Sequence, residues 1–130
     1  MPQILVVDDE ADVCDMLSVA LTREGYQVRT ASNGREALKM LRSSIVDLVI
    51  TDLIMPETEG LELIKGLHNQ CPHLKIIAIS GGGSSDPHID LSMAQHLGAH
   101  RTFLKPFKLQ VMLDAIREMI GPGIPECLQS

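Results

Sequence analysis

The sequence predicts an α/β domain built on a doubly wound, five-stranded parallel sheet with helices on both faces. Two observations carry that prediction. Five short apolar runs recur along the chain, each followed by a segment whose apolar residues stand three and four positions apart. The repeat length, roughly 25 residues, fits one short strand, one crossover helix and tight loops. Strand-then-helix units in succession require a parallel sheet covered on both sides. The chain is too short for the eight units of a closed barrel, so the sheet is open and its ligand site lies beyond the carboxyl ends of the strands.

Ile4-Leu5-Val6-Val7 is the first strand, and Val13, Met16, Leu17, Ala20 and Leu21 mark the inner face of the first helix, which Gly25 ends. Val28 to Ala31 is the second strand, Asn33-Gly34 reads as a turn, and Ala37, Leu38 and Leu41 line the inner face of a short second helix. Leu48-Val49-Ile50 leads to Asp52, and after Pro56 and Gly60 a third helix turns Leu63, Ile64 and Leu67 inward. Ile76-Ile77-Ala78-Ile79 is the fourth strand. Gly81-Gly82-Gly83 follows as a loop, and a helix opens near Asp86-Pro87, where the missing proline N–H is harmless. The last strand lies around Thr102-Phe103-Leu104. The last helix presents Leu109, Met112, Leu113, Ile116 and Met119 on one face until Gly121-Pro122-Gly123 stops it. The expected organisation is one domain over residues 1–121 and a short tail over 122–130, where periodicity ends.

A chain of 130 residues can bury one real core, and with 45% hydrophobic residues but 2% aromatics that core is aliphatic. The formal net charge of −6 repels a phosphate backbone, so direct nucleic-acid binding is not expected. Cys14, Cys71 and Cys127 are odd in number and lack CxxC spacing, which suits reduced thiols in a cytoplasmic protein better than a disulfide or zinc site. No signal peptide or membrane span is read from the sequence. His96 and His100 have the spacing of helical metal ligands, but Gly98 between them is expected to end the helix and leave surface histidines. His68, His73 and His88 form no cluster in sequence, and the methionines fall mostly at core spacing.

Asp8-Asp9 closes the first apolar run, Asp52 the third and Lys105-Pro106 the fifth. Parallel strands bring those ends together. Any one of these aspartates alone could cap a helix or form a turn, and Ser80 could merely open one. Their joint placement beside a lysine points to a site. Three carboxylates at one spot repel one another and lose solvation, at a cost on the order of several kcal/mol, unless a cation joins them. An oxygen-only ligand set suits Mg2+. Asp52 is placed to act as a nucleophile forming an acyl phosphate, with Lys105 neutralising one phosphoryl oxygen and Ser80 donating a hydrogen bond to another.

Val7-Asp8-Asp9-Glu10, Asp52-Leu53-Ile54-Met55-Pro56 with Gly60, Ser80-Gly81, and Lys105-Pro106-Phe107 occur in that order. Over residues 3–120 the ordered set resembles the receiver domain of two-component response regulators. The resemblance implies the flavodoxin-like strand order 2-1-3-4-5. It implies that Asp52 is the phosphoacceptor, taking its phosphoryl group from a phosphohistidine of a sensor histidine kinase or histidine phosphotransfer protein. Asp9, Asp52 and the backbone carbonyl of Ile54 would bind Mg2+, with Asp8 reaching it through water. Lys105 would pair with the phosphoryl group, and the Lys105–Pro106 peptide would be cis. Ser80 would move toward the phosphoryl group and shift the loop and helix behind it, a change of population between two arrangements. Such a domain signals within a phosphorelay and is not a turnover enzyme. With no output domain read after residue 120, the expectation is a stand-alone receiver, monomeric or weakly dimeric. It would meet a downstream protein through the helix near Asp86-Pro87, the last strand and the last helix.

Many receivers carry Tyr or Phe three residues before the lysine as a rotating switch, and here that switch position is Thr102. Phe103 stands one step later and by alternation points to the opposite face, so an aromatic flip is not the expected output. Ile54 is expected to shield the acyl phosphate, and Gly82 offers no side chain to position water. The triple glycine reads either as a passive turn or as a loop soft enough to rearrange. A flavin-binding alternative needs a phosphate-cradling loop where Asp8-Asp9-Glu10 stands. An aspartyl phosphohydrolase needs an acid/base two residues after Asp52, where Ile54 stands. A pseudo-receiver that binds partners without phosphorylation is the third alternative, and the intact acidic set and lysine speak against it.

Overall fold

Five strands pair side by side, all parallel, in the order β2-β1-β3-β4-β5. They are β1 (Gln3–Val7), β2 (Gln27–Ala31), β3 (Leu48–Asp52), β4 (Lys75–Ser80) and β5 (Arg101–Leu104). Helices α1 (Ala11–Arg23), α2 (Gly34–Ser43), α3 (Glu59–Gln70) and α4 (Leu109–Ile120) alternate with them. This computed structural model describes residues 2–52, 59–80, 92, 94–96 and 98–121, with residues 92 and 94–96 helical. The triple glycine, the Asp86-Pro87 helix opening and the 122–130 tail lie outside the described residues.

Alternation along the strands divides the core into two layers. Leu5, Val7, Val49, Ile76 and Ala78 point to one face and pack on Ala37 of α2 and on Leu63, Ile64 and Leu67 of α3. Ile4, Val6, Leu48, Ile50, Ile77 and Ile79 point to the other and pack on Leu17 and Leu21 of α1 and Met112 and Ile116 of α4. Strand β3, with neighbours on both edges and helices on both faces, is buried at every residue. Strand β2 is an edge, and it exposes Gln27, Arg29 and Thr30 there, a polar border that discourages addition of another strand.

Three details differ from the sequence reading. Met16 is 44% exposed, and Cys14 joins the expected Leu17 and Leu21 in the buried seam of α1. Asn33-Gly34 is the start of α2 rather than a free turn. The Asn33 side chain accepts the Glu36 N–H at 2.8 Å, and the Glu36 carboxylate accepts from the Ser32 N–H and hydroxyl at 2.8 and 2.7 Å, a reciprocal cap. His68, remote in sequence, lies near enough to His100 for its charge to count among the causes that lower the His100 pKa.

That last pair sits at the entry to β5. Gly98 takes φ 134°, and a Cβ there would lie 2.6 Å from the His68 ring, so both conformation and space call for glycine. Two residues on, the His100 N–H donates to the Ile76 carbonyl at 2.8 Å, while the His100 ring Nδ1 accepts the Ile76 N–H at 3.1 Å. An imidazole thus supplies a main-chain acceptor, which requires it to be neutral. Burial, then Lys75 and His68, lower its pKa below the ordinary 6.5. The unfolded chain therefore binds this proton more readily, and the stability contributed by neutral His100 is full above pH 6.5 and lost as pH falls through its folded value. In an NMR titration the Ile76 amide is expected to follow His100 with a midpoint below 6.5; a shared midpoint at or above 6.5 contradicts this bond.

Candidate functional site

Three strand ends converge at the carboxyl edge of the sheet. Asp8 extends β1 by one residue, its N–H donating to the Ala31 carbonyl at 3.1 Å, and this holds its side chain inside at 2% exposure. Asp52 closes β3, also 2% exposed, with the Thr51 hydroxyl donating to its carbonyl. Lys105 follows β5, and its N–H donates to the Ser80 carbonyl at 2.7 Å, lengthening the β4–β5 ladder. The Lys105–Pro106 peptide is cis.

The Lys105 ammonium meets three carboxylates: Asp52 at 2.7 Å, Asp8 at 3.6 Å and Glu10 at 3.6 Å. Asp8, Asp9, Glu10 and Asp52 each offer a carboxylate oxygen within 4.8 Å of the others. Asp8 and Asp52 form a buried floor and Asp9 and Glu10 an exposed rim. Sequence reasoning assigned no role to Glu10. Its signal was available as the acidic residue two places after Asp8, but its reach to Lys105 depends on how α1 opens.

One ammonium cannot balance four carboxylates. Burial, joined by the nearby Asp52 charge, raises Asp8 to about 6, against the pull of a hydrogen bond from the Glu10 N–H and the charge of Lys105. Burial works against the Lys105 ammonium too, yet the hydrogen bond and charge of Asp52, with Asp8 and Glu10, outweigh it and raise its pKa. An oxygen-only donor set with excess negative charge fits a hard divalent cation. At the end of β4, the Ser80 hydroxyl is fully buried with no hydrogen-bond partner among the described residues. A buried hydroxyl in that condition costs about 1–3 kcal/mol, so it is a donor suited to a ligand oxygen.

The structure therefore brings together Asp8, Asp9, Asp52 and Lys105. Ile54 and Gly82 lie outside the described residues. Thr102 pairs with Ala78 and Phe103 with Ile79, so the two point to opposite faces, as alternation requires. Phe103 packs against the α1–α4 layer, its ring centroid 6.2 Å from that of Phe107. Beside Lys105 lies an apolar groove of about 430 Å3 lined by Val13, Met16, Pro106, Phe107 and Leu109. Cys14 and Cys71 are free thiols, and among the described residues no helix is long and apolar enough to cross a membrane.

A family model described as the response regulator receiver domain matches residues 4–117. The chain is 37% identical over 105 residues to the alkaline phosphatase synthesis transcriptional regulatory protein PhoP of Bacillus subtilis, covering 81% of this chain and 42% of PhoP. It is 30% identical to the sporulation initiation phosphotransferase F of Bacillus subtilis, covering 91% of this chain and 93% of that protein. Among solved structures it superposes on the response regulator TrrA of Thermotoga maritima, in complex with Mg2+-BeF, with TM-score 0.80 and 32% identity over 92% of this chain and all of that one. The chain spans less than half the length of PhoP and of several other transcriptional regulators it matches.

The raised Asp8 sets a pH dependence. Its folded pKa of about 6 lies above the ordinary 3.8, so the native state takes up the proton first. The associated stability is full below about pH 4 and lost as pH rises through about 6, on the order of 3 kcal/mol at most. In chelator-treated protein, Asp8→Asn is expected to raise resistance to denaturant at pH 7.5, with a much smaller gain at pH 4. An equal gain at both pH values contradicts the assignment.

Proposed function

Because the chain belongs to the family of response regulator receiver domains, we propose that it is a phosphoacceptor of two-component signalling in which Asp52 receives a phosphoryl group from a phosphohistidine. The observation that carries this reading is the contact of 2.7 Å between Lys105 and the buried Asp52 carboxylate, set among surplus acidic groups. A carboxylate oxygen of Asp52 forms the new bond to phosphorus as the bond to the donor's imidazole nitrogen breaks, and the imidazole keeps the electron pair. Lys105 then balances one phosphoryl oxygen, and the Ser80 hydroxyl donates to another.

Asp9, Asp52 and the backbone carbonyl of Ile54 would hold Mg2+, with Asp8 acting through water. When bound, the ion supplies positive charge to the phosphoryl oxygens and relieves the crowding of the carboxylates. Asp8 is the less fitting nucleophile, because burial and Asp52 draw it toward its neutral form. The switch would run through Ser80 and Thr102. Phe103, held in the opposite layer, would stay in place.

In this reading residues 1–121 form the receiver and 122–130 a tail, in a cytoplasmic protein, monomeric or weakly dimeric, that does not turn over substrate. The donor is a sensor histidine kinase or a histidine phosphotransfer protein, and the groove beside Lys105, with Met16 exposed on its wall, offers apolar surface next to Asp52. A downstream protein target reads the result.

Incubation with acetyl phosphate and Mg2+, followed by intact-mass measurement, is expected to yield one phosphoryl adduct that is lost in Asp52→Asn. Rapid multiple turnover would instead support a phosphohydrolase, and no adduct a partner-binding domain without phosphorylation. Structures with and without beryllofluoride are expected to show Phe103 in one rotamer while Ser80 moves. A concerted change of both side chains contradicts the switch.

A further inference from the structure

Glu10 occupies the N-cap position of α1, yet its side chain makes no capping hydrogen bond. The helix thus goes without the cap that Ser, Thr, Asp or Asn would supply there. The Glu10 carboxylate turns instead to the Lys105 ammonium at 3.6 Å, although 64% of the side chain is exposed. Its base is fixed, because the Glu10 N–H donates to the Asp8 carboxylate at 2.9 Å. Asp8 and Asp52 are buried, so an approaching donor meets Asp9 and Glu10 first. Asp9 is taken up by the cation in the proposed function, whereas Glu10 faces the lysine that must receive the incoming phosphoryl oxygens.

We infer that Glu10 selects phosphoryl donors by charge, its carboxylate across the mouth of the site disfavouring small, highly charged donors. The inference rests on the proposed role of Asp52. Glu10 is a positioning residue: it touches Lys105, and its field falls on whatever the donor carries. For an exposed charge this repulsion grows in proportion to donor charge and fades as salt shortens its range from about 10 Å at 0.1 M to about 3 Å at 1 M.

Two small donors separate charge from shape. Acetyl phosphate enters as a dianion: the Asp52 oxygen bonds to phosphorus as acetate leaves with the electron pair. Phosphoramidate carries one net negative charge at neutral pH and releases ammonia from its already protonated nitrogen. With the full chain at saturating Mg2+ and low salt, initial labelling rates by intact mass are expected to rise in Glu10→Gln. The rise is about fourfold for acetyl phosphate and about twofold for phosphoramidate, the square relation that a doubled charge gives. Both gains are expected to vanish near 1 M salt, and Glu10→Asp, which keeps the charge, to stay close to wild type. An equal gain for both donors, a gain that survives high salt, or a Glu10→Asp variant that behaves like Glu10→Gln overturns the inference. Wild-type protein that takes no label, or Asp52→Asn that still takes it, overturns the proposed function itself before Glu10 is compared.

Discussion

The contact between the Lys105 ammonium and the Asp52 carboxylate ties the two halves of the molecule together. It joins the end of β5 to the end of β3 across β4, and it is the shortest of the three carboxylate contacts that Lys105 makes. A single positive charge there cannot satisfy Asp8, Asp9, Glu10 and Asp52 at once. Within this group, burial first and the Asp52 charge second raise Asp8 to about 6, against the pull of Lys105. A cluster that strains its own protonation in this way is a candidate for cation binding and phosphoryl chemistry rather than for structural support.

What holds the cluster in place is the two-layer core. Because adjacent residues of a strand face opposite layers, Ile50 and Val49 anchor β3 from both sides and leave Asp52 at a defined height and direction. The same rule places Thr102 and Phe103 in different surroundings, with the phenyl ring in the α1–α4 layer and Thr102 on the other face of the sheet. Position, burial and chemistry are in this sense one consequence of strand alternation.

Much of this was legible in the residues. Buried parallel strands read as nearly continuous apolar runs, which is why β1, β3 and β4 stood out, and polar residues that close such runs meet at one edge of an open sheet. The strand order, by contrast, came from resemblance, since strand-then-helix spacing alone does not say which strands are neighbours. On α1 the expected Leu17 and Leu21 are buried, but Met16 fits the helical spacing as well as Cys14 does, and only packing shows that Cys14 is the buried one. Asn33-Gly34 carries turn and cap signals in the same two residues, and only the Glu36 side chain reaching back to Ser32 separates them. The reach of Glu10 to Lys105 and the bond between the His100 ring and Ile76 arise from tertiary placement, across separations that no local pattern encodes.

The central claim is that the acidic floor is completed by one divalent cation. Calorimetric titration of Mg2+ into the protein at pH 6 and pH 8, repeated in buffers of different ionisation enthalpy, tests it most directly. The account expects one ion per chain, proton release on binding at pH 6 but almost none at pH 8, and much weaker binding in Asp52→Asn. No binding, or binding that neither depends on Asp52 nor displaces a proton near pH 6, would contradict it.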